Sequence, residues 1–165
     1  MVCVIKTLGG NMARGKETEL TNHFRRTLES LGHFAYKIPD DTSSRFKLAR
    51  PFDMVASIGG TACAIEFKWR KSPESINLNS FSPNQRAALD KFELSGGLSL
   101  VGLFVKIARG DLRLLLWRYN DFKAKGRVLA REQIKTPYIA YYGREKVFDA
   151  SQTRALLLDL ENGFW

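Results

Sequence analysis

The 165-residue chain has two cysteines and two histidines, and that scarcity removes several chemistries at once. Cys3 and Cys63 have no metal-type spacing and read as reduced thiols of a cytoplasmic protein. His23 and His33 form no His-x-x-x-His pair, which argues against a zinc site. There is no Walker loop, no dinucleotide fingerprint and no internal repeat, so no nucleotide cofactor is expected. The longest apolar run, Leu98 to Val105, falls far short of the roughly 20 residues that span a bilayer. Met1 to Gly10 starts apolar but lacks an extended hydrophobic core with a cleavage signature, so neither a secretory signal nor membrane insertion is expected.

What the chain has in excess is positive charge. Lys plus Arg number 26 against 17 Asp plus Glu, a formal charge of +9 that suits a partner rich in phosphate. The predicted pI is about 9.8. The basic residues do not form one tail. Arg14, Lys16, Arg25, Arg26, Arg45, Lys47, Arg50, Arg70 and Lys71 lie along the first half, and Lys123 to Arg127 form a further group. With 44% hydrophobic residues over this length, one well-cored domain covering 1–165 is expected.

Residues 52–58 and 61–69 are rich in β-branched, aromatic and small apolar side chains, and Gly59-Gly60 between them suits a two-residue hairpin turn. Such a turn sets Asp53 directly opposite Glu66, with Cβ atoms about 4.5–5.5 Å apart on one face. The period of two adds Lys68 to that face and sends Ile65, Phe67 and Trp69 to the other. Taken alone, Glu-x-Lys is an ordinary solvent-facing pair. An Asp opposite the Glu changes its meaning, because two like charges repel unless something binds between them. A hard divalent cation, which takes oxygen ligands and uses one or two carboxylates, is the natural occupant.

A third acid is expected from a helix over 17–31, where Leu20, Phe24, Leu28 and Leu31 make one apolar stripe that Gly32 ends. On a 100° wheel Glu19 lies off that stripe, beside His23 and Arg26, and is taken as the acid free to reach the site. Glu17, at the stripe's edge, is read as a first-turn residue favoured by the helix dipole.

Pro83 to Leu94 reads as a second helix with Ala88, Leu89 and Phe92 buried, followed by Gly96-Gly97 and a strand from Leu98 to Ile107. Arg109-Gly110 turns the chain back as Leu112 to Tyr119. Beyond 120 the reading is a basic loop or short helix at Lys123 to Arg127, an extended segment Tyr138 to Tyr142, and a helix Ser151 to Leu160 capped by Ser151. Tyr138, Tyr141, Tyr142, Phe148 and Trp165 are available for core packing, for an interface, or for stacking on unpaired bases.

The order Gly15-x-x-x-Glu19, Pro51-Phe52-Asp53, Ile65-Glu66-Phe67-Lys68, Gln85 in a helix and Gly96-Gly97 before a strand resembles the Holliday junction resolvases of the PD-(D/E)XK nuclease superfamily. Both the archaeal Hjc type and the bacterial RecU type share features with it. Phe52 interrupts the usual Pro-Asp, and the long RecU insertion before the Asp is missing. The resemblance covers about residues 14–118, leaving about 120–165 as a C-terminal extension. It implies a restriction-endonuclease-like α/β fold, a mixed β-sheet flanked by helices. It also implies a homodimer that cuts two strands of a four-way DNA junction and leaves 5′-phosphates. Carried over residue by residue, Glu19, Asp53 and Glu66 bind Mg²⁺, which Mn²⁺ replaces, with the Phe67 backbone carbonyl as a further ligand. Lys68 assists attack by water. Ser43 or Ser44 is placed near the scissile phosphate and Gln85 near the metal. Two other readings fit the same residues: another DNA nuclease of the superfamily, serving restriction, repair or replication, or a non-catalytic basic nucleic-acid-binding protein.

Overall fold

The computed structural model describes residues 8–39 and 50–162. Ser43, Ser44, Arg45 and Lys47, with Cys3 and Trp165, lie outside the described residues, and Arg14 lies outside the described side chains.

The first helix, α1 (Leu8–Ser30), starts well before the sequence pattern suggests and buries Leu20, Phe24 and Leu28 of the expected stripe, whereas Leu31 lies in the turn past its end and is half-buried. A short strand β1 (Phe34–Lys37) follows, which the sequence pattern does not predict. The hairpin β2 (Met54–Ile58) and β3 (Thr61–Arg70) comes next. Its turn glycines take φ 57° and 84°, the pair of positive values that a two-residue turn of this kind requires. Strand β4 (Ile76–Asn77), a 3₁₀ turn (Leu78–Ser80) and α2 (Pro83–Leu94) then carry the chain across one face. The long antiparallel pair β5 (Leu98–Ala108) and β6 (Asp111–Arg118) completes the centre of the sheet.

The segment beyond residue 120 continues this architecture. Helix α3 (Tyr119–Lys125), strand β7 (Arg127–Val128), the single turn α4 (Ala130–Gln133), strands β8 (Ile139–Tyr142) and β9 (Val147–Phe148) and helix α5 (Ala150–Asn162) follow in order. The cap of α5 is Asp149, whose Oδ1 accepts the Gln152 N–H at 2.7 Å, and not Ser151, which lies inside the helix. A carboxylate one residue before the first helical position reaches the free amides of the first turn; Ser151 is already past them.

Seven strands form one mixed sheet in the order β1-β2-β3-β5-β6-β8-β9, while β4 and β7 pair separately. Among the described residues only β3 and β5 run parallel, the crossover between them carrying α2. Both faces are covered. Leu20, Phe24 and Leu28 of α1, with Leu156 and Leu157 of α5, pack over Ile65, Phe67, Leu100 and Phe104. On the other face Phe81, Leu89 of α2 and Tyr119 and Phe122 of α3 pack over Ala64, Val101, Leu103 and Val105. Burial on both sides explains why 98–105 reads as a nearly continuous apolar run. Gly102 interrupts the run because the Phe67 ring lies on it: a Cβ there would sit 2.4 Å from Phe67 Cδ1.

Candidate active site

The hairpin register pairs Met54 with Ile65 and Ile58 with Thr61. One step further, the Asp53 N–H donates to the Ile65 carbonyl at 3.1 Å, so Asp53 stands opposite Glu66 as the two-residue turn requires. There β2 stops, and β3 runs on for five more residues with β5 on one side only.

Side chains take over from the missing strand. Asp53 Oδ2 accepts the Phe67 N–H at 2.6 Å, and Glu17 Oε2 accepts the Trp69 N–H at 3.0 Å. In a strand the N–H and C=O of one residue point to the same side. The Phe67 carbonyl therefore faces the edge occupied by Asp53 and Glu17. Asp53 Oδ1 is paired with Arg50, a residue read from sequence as a DNA contact.

Glu17, not Glu19, is the helix acid that the structure brings to this edge. Glu19 lies on the outer side of α1, its side chain 44% exposed and paired with Lys16 at 3.1 Å. The physical reason is simple: α1 packs on the sheet through Leu20 and Phe24, so an acid reaching a strand edge must lie close to that stripe. Glu17 is one helical turn before Leu20, and a charged residue prolonging an apolar stripe is the signal available in the sequence.

Glu66 is fully buried. Its Oε1 accepts from Lys68 Nζ at 2.7 Å and from Gln85 Nε2, while Oε2 is buried with no hydrogen-bond partner among the described residues. Gln85 does two things. Its backbone N–H and side-chain Oε1 close a capping box with Ser82, at 3.2 and 3.0 Å, and its Nε2 turns to Glu66. Lys68 Nζ also rests 5.2 Å from the centre of the Phe81 ring.

Burial, followed by the charge of Asp53, pushes Glu66 up to about 8 and Glu17 up to about 7 from the ordinary 4.5. Three carboxylates thus share the edge with two cations, Arg50 and Lys68. Among the described residues the site is one positive charge short, and a proton shared by Glu17 and Glu66 is one way to fill the gap. Among the described residues no three acidic, His or Cys side chains converge into a ready-made metal cage. The donors nevertheless fit a hard cation: an orphaned buried Glu66 oxygen, a facing Asp, a nearby Glu and a backbone carbonyl, all oxygen.

The other basic residues read from the sequence as DNA contacts are placed individually. Arg25 pairs with Glu29 at 2.6 Å, Arg70 Nη1 donates to the Trp69 carbonyl at 2.9 Å, and Arg26 and Lys71 are exposed. Of the aromatics, Phe148 is core and Tyr138 carries the Arg113 guanidinium 4.0 Å above its ring centre.

No family model and no curated relative matches the chain. Among solved structures it is similar to Archaeoglobus fulgidus Hjc, a Holliday junction resolvase from an archaeal hyperthermophile. The two are 22% identical, with a TM-score of 0.38, over 66% of this chain and 92% of that one. At that degree of overlap a function for this chain rests on the geometry of its own site. No helix among the described residues is long and apolar enough to cross a membrane.

Proposed function

We propose that this chain is a Mg²⁺-dependent DNA endonuclease whose site is the edge of β3 beyond the end of β2. The observation that carries the reading is Glu66: fully buried, one oxygen without a partner, opposite Asp53 and tied to a lysine. Leaving a buried carboxylate oxygen unsatisfied is costly, and a cation is the ligand that three crowded acids favour. Glu17, Asp53, Glu66 and the Phe67 carbonyl would hold it. Bound there, Mg²⁺ would supply a hydroxide-like water and charge neutralisation at a phosphate, with Mn²⁺ able to replace it.

The chain's own groups do the rest. The Phe67 and Trp69 amides orient two of the acids, and Gln85 fixes Glu66 from α2. Lys68 brings a fixed positive charge beside the acids, suited to the negative charge that grows on a phosphate under attack. Arg50, already on Asp53, adds a second. The surplus of basic residues supports a polyanionic substrate.

The substrate in this reading is branched DNA, above all the four-way junction, cut by a homodimer because paired cuts in a two-fold symmetric junction call for two sites. The test is a panel of four-way junction, flap and linear duplex, each with and without Mg²⁺. Wild type should cut the junction only with the metal. Asp53→Asn, Glu66→Gln and Lys68→Ala should each be slower by about a hundredfold or more, the several kcal/mol expected of lost electrostatic stabilisation. Variants that cut like wild type refute the site. Tight, salt-sensitive binding with no metal-dependent turnover refutes the nuclease and leaves a binding protein.

A further inference from the structure

A groove of about 430 Å³ opens at the end of the sheet where β3 leaves the acids. Its apolar lining includes Trp69, Leu112 and Tyr141, and Lys16, Lys71 and Lys106 stand at its rim. It meets the acid site at Glu17, which accepts the Trp69 N–H and follows Lys16 in α1, while the Trp69 ring itself lies on the α1 side of β3, across the strand from Glu66 and Lys68. We infer that this groove binds an unpaired nucleotide of the DNA strand that leads away from the active site; the inference deepens, and rests on, the nuclease reading above.

Three observations favour that occupant. The aromatic lining is pre-set, which lowers the ordering cost of binding. Trp69 is held through its backbone by Glu17, and Tyr141 lies parallel to His23, with ring centres 5.7 Å and planes 9° apart, its hydroxyl 2.8 Å from His23 Nδ1. The rim carries three lysines, of which Lys16 is paired with Glu19 at 3.1 Å while Lys71 and Lys106 stand exposed, and Asp111 in the lining is engaged by Arg113 at 2.8 and 2.9 Å. Stacking rings under a basic rim is the arrangement that holds single strands with little regard to sequence. A paired base has both faces stacked within the duplex and cannot use such a floor. The groove therefore favours DNA with an unpaired nucleotide next to the cut, as at a flap, a frayed end or a junction whose branch-point pair has opened, over continuous duplex.

Titrating the protein in EDTA with oligothymidylate of about ten nucleotides, while following tryptophan emission, tests this directly. Wild type should show quenching that disappears in Trp69→Phe, a change that keeps an aromatic ring in place. Should the emission change persist in Trp69→Phe, it arises at Trp117 or Trp165 and the groove is not the site. On the rim, Lys71→Glu with Lys106→Glu should weaken oligothymidylate binding roughly tenfold or more, and blunt duplex binding much less. Equal losses on both DNAs would overturn the inference. The two readings separate cleanly. Quenching without Mg²⁺-dependent cutting of any DNA sinks the nuclease alone, and cutting of branched DNA without quenching sinks the groove alone.

Discussion

The two halves of β3 differ in who satisfies their backbone. From Thr61 to Ile65 the strand is paired on both sides, with β2 and with β5. From Glu66 onward β5 remains but β2 is gone, and carboxylates of Asp53 and Glu17 take the Phe67 and Trp69 amides. A ladder closed on both edges is structure and nothing more. An open edge inside the protein must recruit side chains, and here those recruited are acids, which gather negative charge at a buried place beside backbone carbonyls.

That difference can be broken most strongly through the recruited acids. Glu17→Gln removes a charge at the open edge and should slow Mg²⁺-dependent cleavage by about a hundredfold. Glu19→Gln removes one from the exposed side of α1 and should stay within about twofold, since exposed ion pairs contribute little. Steady-state rates on one junction decide between them, and a larger loss at Glu19 would reverse the assignment.

The open half can also be stressed from its β5 side, through Gly102, which pairs with Phe67. Gly102→Ala places a methyl against the Phe67 ring, and overpacking of this kind costs about 1–3 kcal/mol. Urea unfolding should show that loss, together with reduced cleavage, because Phe67 carries the amide that holds Asp53. A variant as stable as wild type would mean that Phe67 moves freely and that the site is not braced by the core.

The smallest effect expected is on pH dependence. Glu17 and Glu66 titrate at about 7 and about 8 in the fold, above the ordinary 4.5, because burial and then Asp53 disfavour their charged forms. The folded protein thus holds protons that the unfolded chain has released. Their contribution is full below about pH 4.5 and is lost as pH rises through about 7 and 8. The melting temperature of the metal-free protein should fall between about pH 5 and about pH 8.5, less so in Glu66→Gln, and Mg²⁺ should restore more of it at the alkaline end. A flat or rising profile in wild type would show that the acids are not crowded in solution.

The site is legible in the sequence where a short-range rule applies. Two glycines between two strand patterns set a register, and the register sets Asp53 against Glu66. The resemblance places Gln85 near the site, where its Nε2 reaches Glu66, and the structure adds that it also caps α2. Glu17 is harder to read than Glu19, because an acid off the stripe looks free to reach out whereas one at the margin of a buried stripe looks merely tolerated. Strand β1 and the capping of α5 by Asp149 escape for a related reason, since each depends on what the chain meets several residues away.

By itself the sequence determined what period and turn chemistry determine: the hairpin, the extent of α2, the apolar stripe of α1 and the surplus of positive charge. Only the tertiary structure decided where β2 ends relative to β3, which side of α1 meets the open edge, and that α2 buries Glu66 from the far face. Those depend on long-range packing, and the charge state of a carboxylate follows from what is packed around it, which no local pattern of residues encodes.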